Sequence, residues 1–197
     1  LQLKPHFYLN GLKTVNALAM AHEDEKIQEL VLNLSEHLRY LLRAEQETVP
    51  LSRELAFVEN YIGLQKHVTG RPVTSEITVD PEVEDWQVPI LSVQTFVENS
   101  IKYGFQKKPR IHIRVRGWLG EDALYFTVED NGGGVDETML EQLRDILRSD
   151  EVNIEHNGLQ NINRRIWLGY GGDSGLTIDS TEGEGFTVKL KLRLGGM

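Results

Sequence analysis

The 197-residue sequence contains no cysteine, no long apolar run and no excess of positive charge. Without cysteine there is no disulfide, no thiolate catalysis and no cysteine-based zinc site, which fits a reducing compartment. No run of about 18 apolar residues is present, so no membrane-spanning helix is predicted. The net charge of -9 argues against nucleic acid as the main partner, because phosphate backbones bind clustered Lys and Arg.

The composition is that of a globular protein, with 40% hydrophobic and 26% charged residues. The length allows one compact domain together with a small helical module. An acidic chain can still bind a nucleotide where a few local donors and a metal ion offset the phosphates. The sequence opens at Leu1 rather than at a methionine. We therefore expect an upstream region, through which alone the protein would contact a membrane.

Two amphipathic helices are predicted in residues 1–48, separated by a short acidic break at residues 22–25. The apolar positions of the first helix are Tyr8, Leu12, Val15 and Ala19, and those of the second are Ile27, Leu30, Val31, Leu34, Leu38, Leu41 and Leu42. Because two such helices cannot bury both apolar faces alone, a second copy is expected to complete a four-helix bundle, giving a homodimer. The alternative is that the hairpin packs against its own C-terminal domain.

Residues 49–197 show the helix and strand pattern of an α+β sandwich, in which helices cover one face of a mixed sheet. The predicted helices are residues 52–66, with Ser52 as N-cap, 88–103 and 159–168. The predicted strands are residues 73–79, 111–115, 124–128, 176–179 and 186–192. The chain is thus predicted as a dimerising helical hairpin followed by a sandwich domain.

The end of the helix at residues 88–103 carries the first polar segment that indicates chemistry. Asn99 and Lys102 stand three residues apart and share one face, with Glu98 beside them. An amide oxygen is a ligand suited to Mg²⁺, and an ammonium group suits phosphate oxygens. The alternative is a polar helix end that is exposed to solvent.

Two glycine-containing segments follow. Asp130-Asn131-Gly132-Gly133-Gly134 comes directly after a strand, and its glycines let the backbone approach a ligand while the carboxylate can accept a bond from an exocyclic amine. Asn157-Gly158-Leu159-Gln160-Asn161 leads into a helix, whose first N–H groups favour phosphate. The alternatives are a flexible turn and an ordinary helix cap. Neither segment matches a Walker loop or a protein-kinase signature.

Together these segments resemble the N, G1 and G2 boxes of the ATP-binding superfamily (GHKL) that contains gyrase, Hsp90, histidine kinases and MutL. Lys4-Pro5-His6-Phe7-Tyr8-Leu9-Asn10 is similar to the Pro-His-Phe-x-x-Asn phosphoacceptor motif of LytS/YehU-type sensor histidine kinases. The resemblance extends from Leu1 to about Leu194. It implies autophosphorylation of His6 with ATP and Mg²⁺, followed by phosphotransfer to an aspartate of a response regulator. It also implies the cytoplasmic portion of an inner-membrane-anchored bacterial sensor.

The resemblance implies roles for individual residues. Asn99 would ligate Mg²⁺, Lys102 would contact phosphate oxygens, and Asp130 would bind the adenine amino group. The other residues assigned to nucleotide binding are Tyr103, Gly132, Gly134, Gly158, Leu159 and Asn161. Residues 135–157 would form a mobile lid over the ATP, and Arg165 would have a structural or phosphate-side role.

The sequence departs from the family pattern at several positions. Tyr103 stands where the N box usually has His, and His156 replaces the first glycine of Gly-x-Gly-Leu. Phe7, not an acidic residue, follows the phosphoacceptor, so we expect Glu98 to be the general base. The alternatives for the function are an ATP hydrolase of the same superfamily and an ATP-binding dimerisation module without kinase activity.

Overall fold

The structure is a computed structural model that describes residues 5–42, 47–149 and 157–193. The described helices are α1 (Pro5–Met20), α2 (Asp24–Leu42), α3 (Leu51–Thr69), α4 (Ser92–Lys107), α5 (Glu137–Arg148) and α6 (Asn157–Tyr170). The strands are β1 (Thr48–Pro50), β2 (Val73–Val79), β3 (Gln87–Pro89), β4 (Ile111–Leu119), β5 (Ala123–Asp130), β6 (Gly175–Thr181) and β7 (Gly185–Arg193), and a 3₁₀ turn covers Pro81–Val83. This is the predicted order of a helical hairpin and an α+β domain.

The main sheet has the strand order β2-β4-β5-β7-β6. The β2–β4 pair is parallel and the other pairs are antiparallel, so the sheet is mixed as expected. Along β4, Ile111, Ile113 and Val115 are buried against the helices, while Arg114 and Arg116 face the other way. Both arginines pair with carboxylates on that open face. Helices therefore cover one face of the sheet and leave the other to solvent.

The helical hairpin turns at His22, which has a φ of 57°. Both of its helices pack against α3, as the alternative that the sequence left open expects, and the homodimer stays a prediction. Leu12 of the predicted apolar stripe of α1 is 61% exposed in the single chain, and Phe7, which lies outside the stripe, packs against the core. The apolar side chains exposed on the hairpin are Leu9, Leu12, Met20, Val31, Leu32 and Leu38. An apolar outer face thus remains beside the contact with α3.

Several helix boundaries differ from their predictions. The helix expected from residue 88 begins at Ser92, because residues 87–89 pair with 48–50 as a short two-stranded sheet. It then continues to Lys107, beyond the glycine at position 104. Ser52 lies inside α3, and Pro50 precedes that helix without a side-chain cap. The short strands were missed because neither has an alternating pattern long enough to detect.

Helix α3 joins the two parts of the chain, because it contacts α1 and α2 on one side and α4 and β2 on the other. The division between residues 48 and 49 consequently stays a prediction. Within the described residues, no helix is long and apolar enough to cross a membrane.

Candidate functional site

A cavity of about 270 Å³ opens between α4, the end of β5 and the first turns of α5 and α6. Its lining includes the predicted binding residues Asn99, Tyr103, Asp130, Gly132, Gly134, Gly158 and Leu159. These residues come from three segments that are far apart in the sequence. The fold brings them together because α4 and α6 pack side by side over the same end of the sheet.

Asp130 lies at the end of β5, where the strand turns into the glycine-rich loop. Its Oδ1 accepts a hydrogen bond from the Gly132 N–H at 2.8 Å. Burial raises the pKa of this carboxyl group, while hydrogen bonds from the Ser100 hydroxyl and the Phe186 N–H act in the opposite direction. A buried carboxylate held in this way is a fixed acceptor, suited to a ligand that offers an N–H group.

The glycines of this loop are required by the packing of the protein itself. A Cβ on Gly132 would lie 2.6 Å from the Gly104 Cα, so the loop backbone packs directly on α4. Gly134 has a φ of 58°, and a Cβ there would lie 2.3 Å from the Thr181 carbonyl oxygen. The sequence interpretation had the glycines approach a ligand. The structure shows that they first allow the loop to approach α4 and β6, and this contact shapes the cavity.

Lys102 does not line the cavity but lies beside Tyr103, which does. Its Nζ is 3.2 Å from the Tyr103 hydroxyl and 4.6 Å from the centre of the ring. Both side chains are exposed. The aromatic face therefore holds the ammonium group at the rim of the cavity.

Glu98 and Asn161 also lie outside the cavity lining. Burial raises the pKa of Tyr61 on α3, and the charge of Glu98 adds to this shift, which places the Glu98 carboxylate on the α3 side of α4. Asn161 lines a second, polar cavity together with Gln160 and Arg164. The three segments thus meet at one cavity, but Glu98, Lys102 and Asn161 lie outside its lining.

Sequence reasoning missed other lining residues. Lys107, in the last turn of α4, donates a hydrogen bond from Nζ to the Gly134 carbonyl oxygen at 2.7 Å. Only its position on a continued helix could have indicated this contact, and that helix was predicted to end at residue 103. The apolar lining includes Phe96, Met139, Leu143, Phe186 and Val188, none of which was singled out from the sequence as a site residue.

The segment predicted as a lid is largely structured. Residues 137–148 form α5, which begins at the N-cap Asp136 and buries Leu140 in the core. Part of this segment is therefore helical, which was not predicted from the sequence, and its role as a mobile lid stays a prediction. His156 and the rest of residues 150–156 lie outside the described residues.

His6 and Arg165 complete the predicted set. His6 lies in the first turn of α1, which begins at Pro5, and its side chain lies outside the described residues. Arg165 donates hydrogen bonds to the carbonyl oxygens of Ile90 and Glu47, at 2.8 and 2.9 Å. Its role is therefore structural, because it ties α6 to the segments that precede α4 and β1.

The side chains that line the cavity suit a nucleotide. A fixed buried carboxylate stands between apolar side chains, as a purine base with an amino group requires. The amide of Asn99 lines the same cavity, and the described residues contain no cluster of three or more His, Cys, Asp or Glu that could hold a metal ion. A cation here would need phosphate oxygens as further ligands, as Mg²⁺ bound with a nucleotide does.

Comparisons with known families agree with this geometry. Residues 1–72 match the family model described as histidine kinase. Residues 89–196 match the model described as histidine kinase-, DNA gyrase B- and HSP90-like ATPase. The fold and the cavity thus define an ATP-binding domain of this class, joined to a helical segment. The chain belongs to the family of histidine kinase-, DNA gyrase B- and HSP90-like ATPases, and its first 72 residues match the histidine kinase model.

Curated relatives resemble the chain over almost its whole length. Sensor protein LytS of Bacillus anthracis is 33% identical over 189 residues, which are 95% of this chain and 32% of the relative. Sensor protein kinase HptS of Staphylococcus aureus is 29% identical over 193 residues, which are 98% and 37%. The chain therefore spans about a third of the length of these relatives.

Solved structures support the fold. The histidine kinase domain of the blue-light activated histidine kinase of Erythrobacter litoralis matches with a TM-score of 0.52 and 18% identity, over 95% of both chains. The catalytic domain of histidine kinase ThkA matches with a TM-score of 0.52 and 13% identity, over 74% of this chain and 94% of that one. No comparison favours the ATP hydrolase or the module without kinase activity.

Proposed function

We propose that this chain transfers the γ-phosphoryl group of ATP to His6, as the kinase core of a two-component sensor protein. The observation that carries the proposal is the single cavity lined by Asn99, Asp130 and Gly158. Each comes from a different one of the three segments that resemble ATP-binding boxes. A family match over both the helical segment and the ATPase domain supports the pairing of acceptor and nucleotide site in one chain.

In the proposed complex, the adenine amino group donates to Asp130, whose carboxylate is held by Gly132 and Ser100. The phosphates extend toward Asn99 and the first turn of α6, where Gly158 and Leu159 present the free N–H groups of a helix start. Asn99 would ligate Mg²⁺, which would neutralise phosphate charge when bound. Lys102, held against Tyr103 at the rim, would contact phosphate oxygens.

For the transfer itself, an imidazole nitrogen of His6 forms a bond to the γ-phosphorus as the bond to the leaving oxygen of ADP breaks. The attacking ring gives up its N–H proton, and Glu98 is the proposed acceptor. Glu98 acts electrostatically on Tyr61, and the ring of Phe7 lies 5.7 Å from the ring of Tyr61. Support for Glu98 comes from this shared neighbour, because Phe7 directly follows His6 in α1. Asn161, the last residue of the segment at 157–161, would brace the start of α6.

The exposed apolar side chains of the hairpin support a homodimer. Leu9, Leu12 and Met20 on α1 and Val31 and Leu38 on α2 stay exposed while the opposite face packs on α3. A second hairpin would cover them and complete a four-helix bundle. The phosphoryl group would then pass from His6 to an aspartate on a separate response regulator. The chain matches about a third of a relative named sensor protein, which supports a cytoplasmic portion of a longer protein that another region anchors to a membrane.

Labelling with γ-³²P-ATP and Mg²⁺ tests the proposal. We expect acid-labile, alkali-stable label on the wild-type chain and none on His6→Gln. His112→Gln is the matched control, because His112 lies on the open face of the sheet beside Thr74. Label that persists in His6→Gln, or free phosphate without labelled protein, would contradict the proposal.

The same assay tests the metal assignment. Asn99→Ala should abolish labelling while the circular dichroism spectrum and unfolding temperature stay close to those of the wild type. Asn33→Ala on α2 is its control, since Asn33 bonds to Asn60 far from the cavity. Equal labelling of the two variants would remove Asn99 from the proposed site.

A further inference from the structure

Glu54 on α3 is a fully buried carboxylate that no part of the proposed phosphoryl transfer uses. Its Oε1 accepts the Leu91 N–H at 2.6 Å, and its Oε2 accepts the Val93 N–H at 3.2 Å. The Tyr40 hydroxyl of α2 donates to the same Oε1. A buried charge is costly unless it is paired or hydrogen-bonded, and here the donors come from two separate elements. Glu54 therefore connects the hairpin to α4.

On the domain side, Glu54 replaces the missing cap of α4. Leu91 stands at the N-cap position with a φ of 64° and offers no side-chain cap. The buried Ser92 hydroxyl has no partner among the described residues. The first free N–H groups of the helix are satisfied by the carboxylate of another helix instead. Because α4 is a continuous rigid rod, the position of its start fixes the position of Asn99 about 10 Å further along.

On the hairpin side, Tyr40 belongs to an aromatic cluster that reaches the phosphoacceptor helix. Its ring stacks on Phe57 of α3 with centroids 3.9 Å apart, and Phe57 stacks on His37 at 4.6 Å. His37 lies 5.2 Å from the ring of Phe7, the residue that follows His6. A continuous series of contacts thus leads from the start of α1 to the start of α4.

We propose that Glu54 and Tyr40 are positioning residues that fix the nucleotide-binding helix α4 relative to the helices that carry His6. This inference rests on the proposed autophosphorylation, because the geometry it maintains matters only if phosphate passes from the cavity to α1. Neither residue lines the cavity. Their loss should therefore slow the transfer without weakening nucleotide binding, whereas a purely structural role would change stability alone.

The direct test is Tyr40→Phe in the whole chain, which removes only the hydroxyl group. We expect the autophosphorylation rate at saturating ATP to fall roughly fivefold to tenfold, with an unchanged dissociation constant for ATP by calorimetry. Tyr170→Phe is the matched control, since it removes the hydroxyl of a buried tyrosine that donates to the Gln87 carbonyl oxygen at 2.6 Å. An equal or faster rate in Tyr40→Phe than in the control overturns the proposal.

A double-mutant cycle tests whether Tyr40 acts through Glu54. If it does, Tyr40→Phe should slow the reaction much less in a Glu54→Gln background than in the wild type. Slowing by the same factor in both backgrounds would show independent effects and overturn the link.

Amide hydrogen exchange separates failure of this inference from failure of the proposed function. The Leu91 and Val93 amides should exchange faster in Tyr40→Phe than in Tyr170→Phe, whether or not the chain phosphorylates itself. If the wild type takes up no label, the proposed autophosphorylation has failed, and the exchange data still decide whether Tyr40 and Glu54 position α4. Unchanged protection of both amides in Tyr40→Phe would overturn this positioning role.

Discussion

The hairpin and the sandwich domain bury their apolar residues to very different extents. In the sandwich, the side chains that face the helices are almost all buried, as Phe126, Ile113 and Val115 show. In the hairpin, apolar side chains such as Leu12 and Met20 remain largely exposed, although one face packs on α3. The comparison teaches that the sandwich buries its apolar residues within one chain. The hairpin packs one face on α3 and leaves apolar side chains exposed, which the proposed homodimer would cover.

Core truncation in each region should show the largest contrast. Phe126→Ala on β5 removes a side chain that is 2% exposed and should cost about 3–5 kcal/mol in the free energy of unfolding. Leu12→Ala in α1 should change it by less than about 0.5 kcal/mol at concentrations where the chain is monomeric. Urea denaturation followed by circular dichroism measures both. Similar losses in the two variants would mean that the hairpin is as closely packed as the sandwich.

Lowering the pH should weaken the hairpin contact before the sandwich. His37 lies in the aromatic cluster between α2 and α3, and its Nδ1 has no partner among the described residues. Burial lowers the pKa of His37 from 6.5 to about 4, so the unfolded state binds the proton more readily. The stabilisation is complete above pH 6.5 and is lost as the pH falls toward 4, by roughly 3 kcal/mol at most.

Unfolding measured between pH 7 and pH 4 checks this expectation. His37→Phe has no group that titrates at this position, so its stability should fall less over the same range. His67→Phe is the control, because His67 is a partly exposed residue of α3 that faces Glu29. A wild-type profile that runs parallel to that of His37→Phe would exclude His37 as the source of the pH dependence.

Asp130→Asn should act on the nucleotide site with little effect elsewhere. The amide keeps the shape of the carboxyl group but lacks the negative charge that strengthens a hydrogen bond from an N–H donor. The affinity for ATP should therefore fall by about 1.5–3 kcal/mol, or roughly 10- to 150-fold. Glu129→Gln is the neighbouring control, since Glu129 pairs with Arg114 and Arg116 on the open face. Calorimetric titration measures both, and equal affinities would remove Asp130 from adenine recognition.

The sequence predicted the sandwich better than the hairpin for a physical reason. The alternation in β4 and the apolar residues of α4 both reflect burial inside one chain. Their local sequence patterns were therefore enough to predict a strand and a helix. The stripe of α1 did not indicate that Phe7 packs against the core, because α3 also competes for the apolar residues of the hairpin. Pattern alone cannot tell which apolar face meets α3 and which meets another copy.

At the site, the sequence singled out Asn99, Asp130 and Gly158 through segments that resemble a family's motifs, and the structure places these residues around one cavity. The contacts of Glu54 and Lys107 could not be found in this way, since each depends on a partner that lies distant in the sequence. A single glutamate in the first turn of α3 looks like an ordinary favourable charge at a helix start. Only the packing of α2, α3 and α4 reveals that it is buried and shared.

The smallest expected effect comes from glycine substitution, which distinguishes α3 from the site loop. Gly63 lies within α3 with no atom within 4 Å of an added Cβ, so Gly63→Ala should stabilise the chain by up to about 1 kcal/mol through helix propensity. Gly132→Ala inserts the same methyl group against the Gly104 backbone at 2.6 Å and should destabilise the loop and weaken ATP binding. Thermal unfolding and titration of both variants measure the contrast. Destabilisation by Gly63→Ala would mean that α3 must bend at this glycine, and the rigid connection between hairpin and domain would then have to be abandoned.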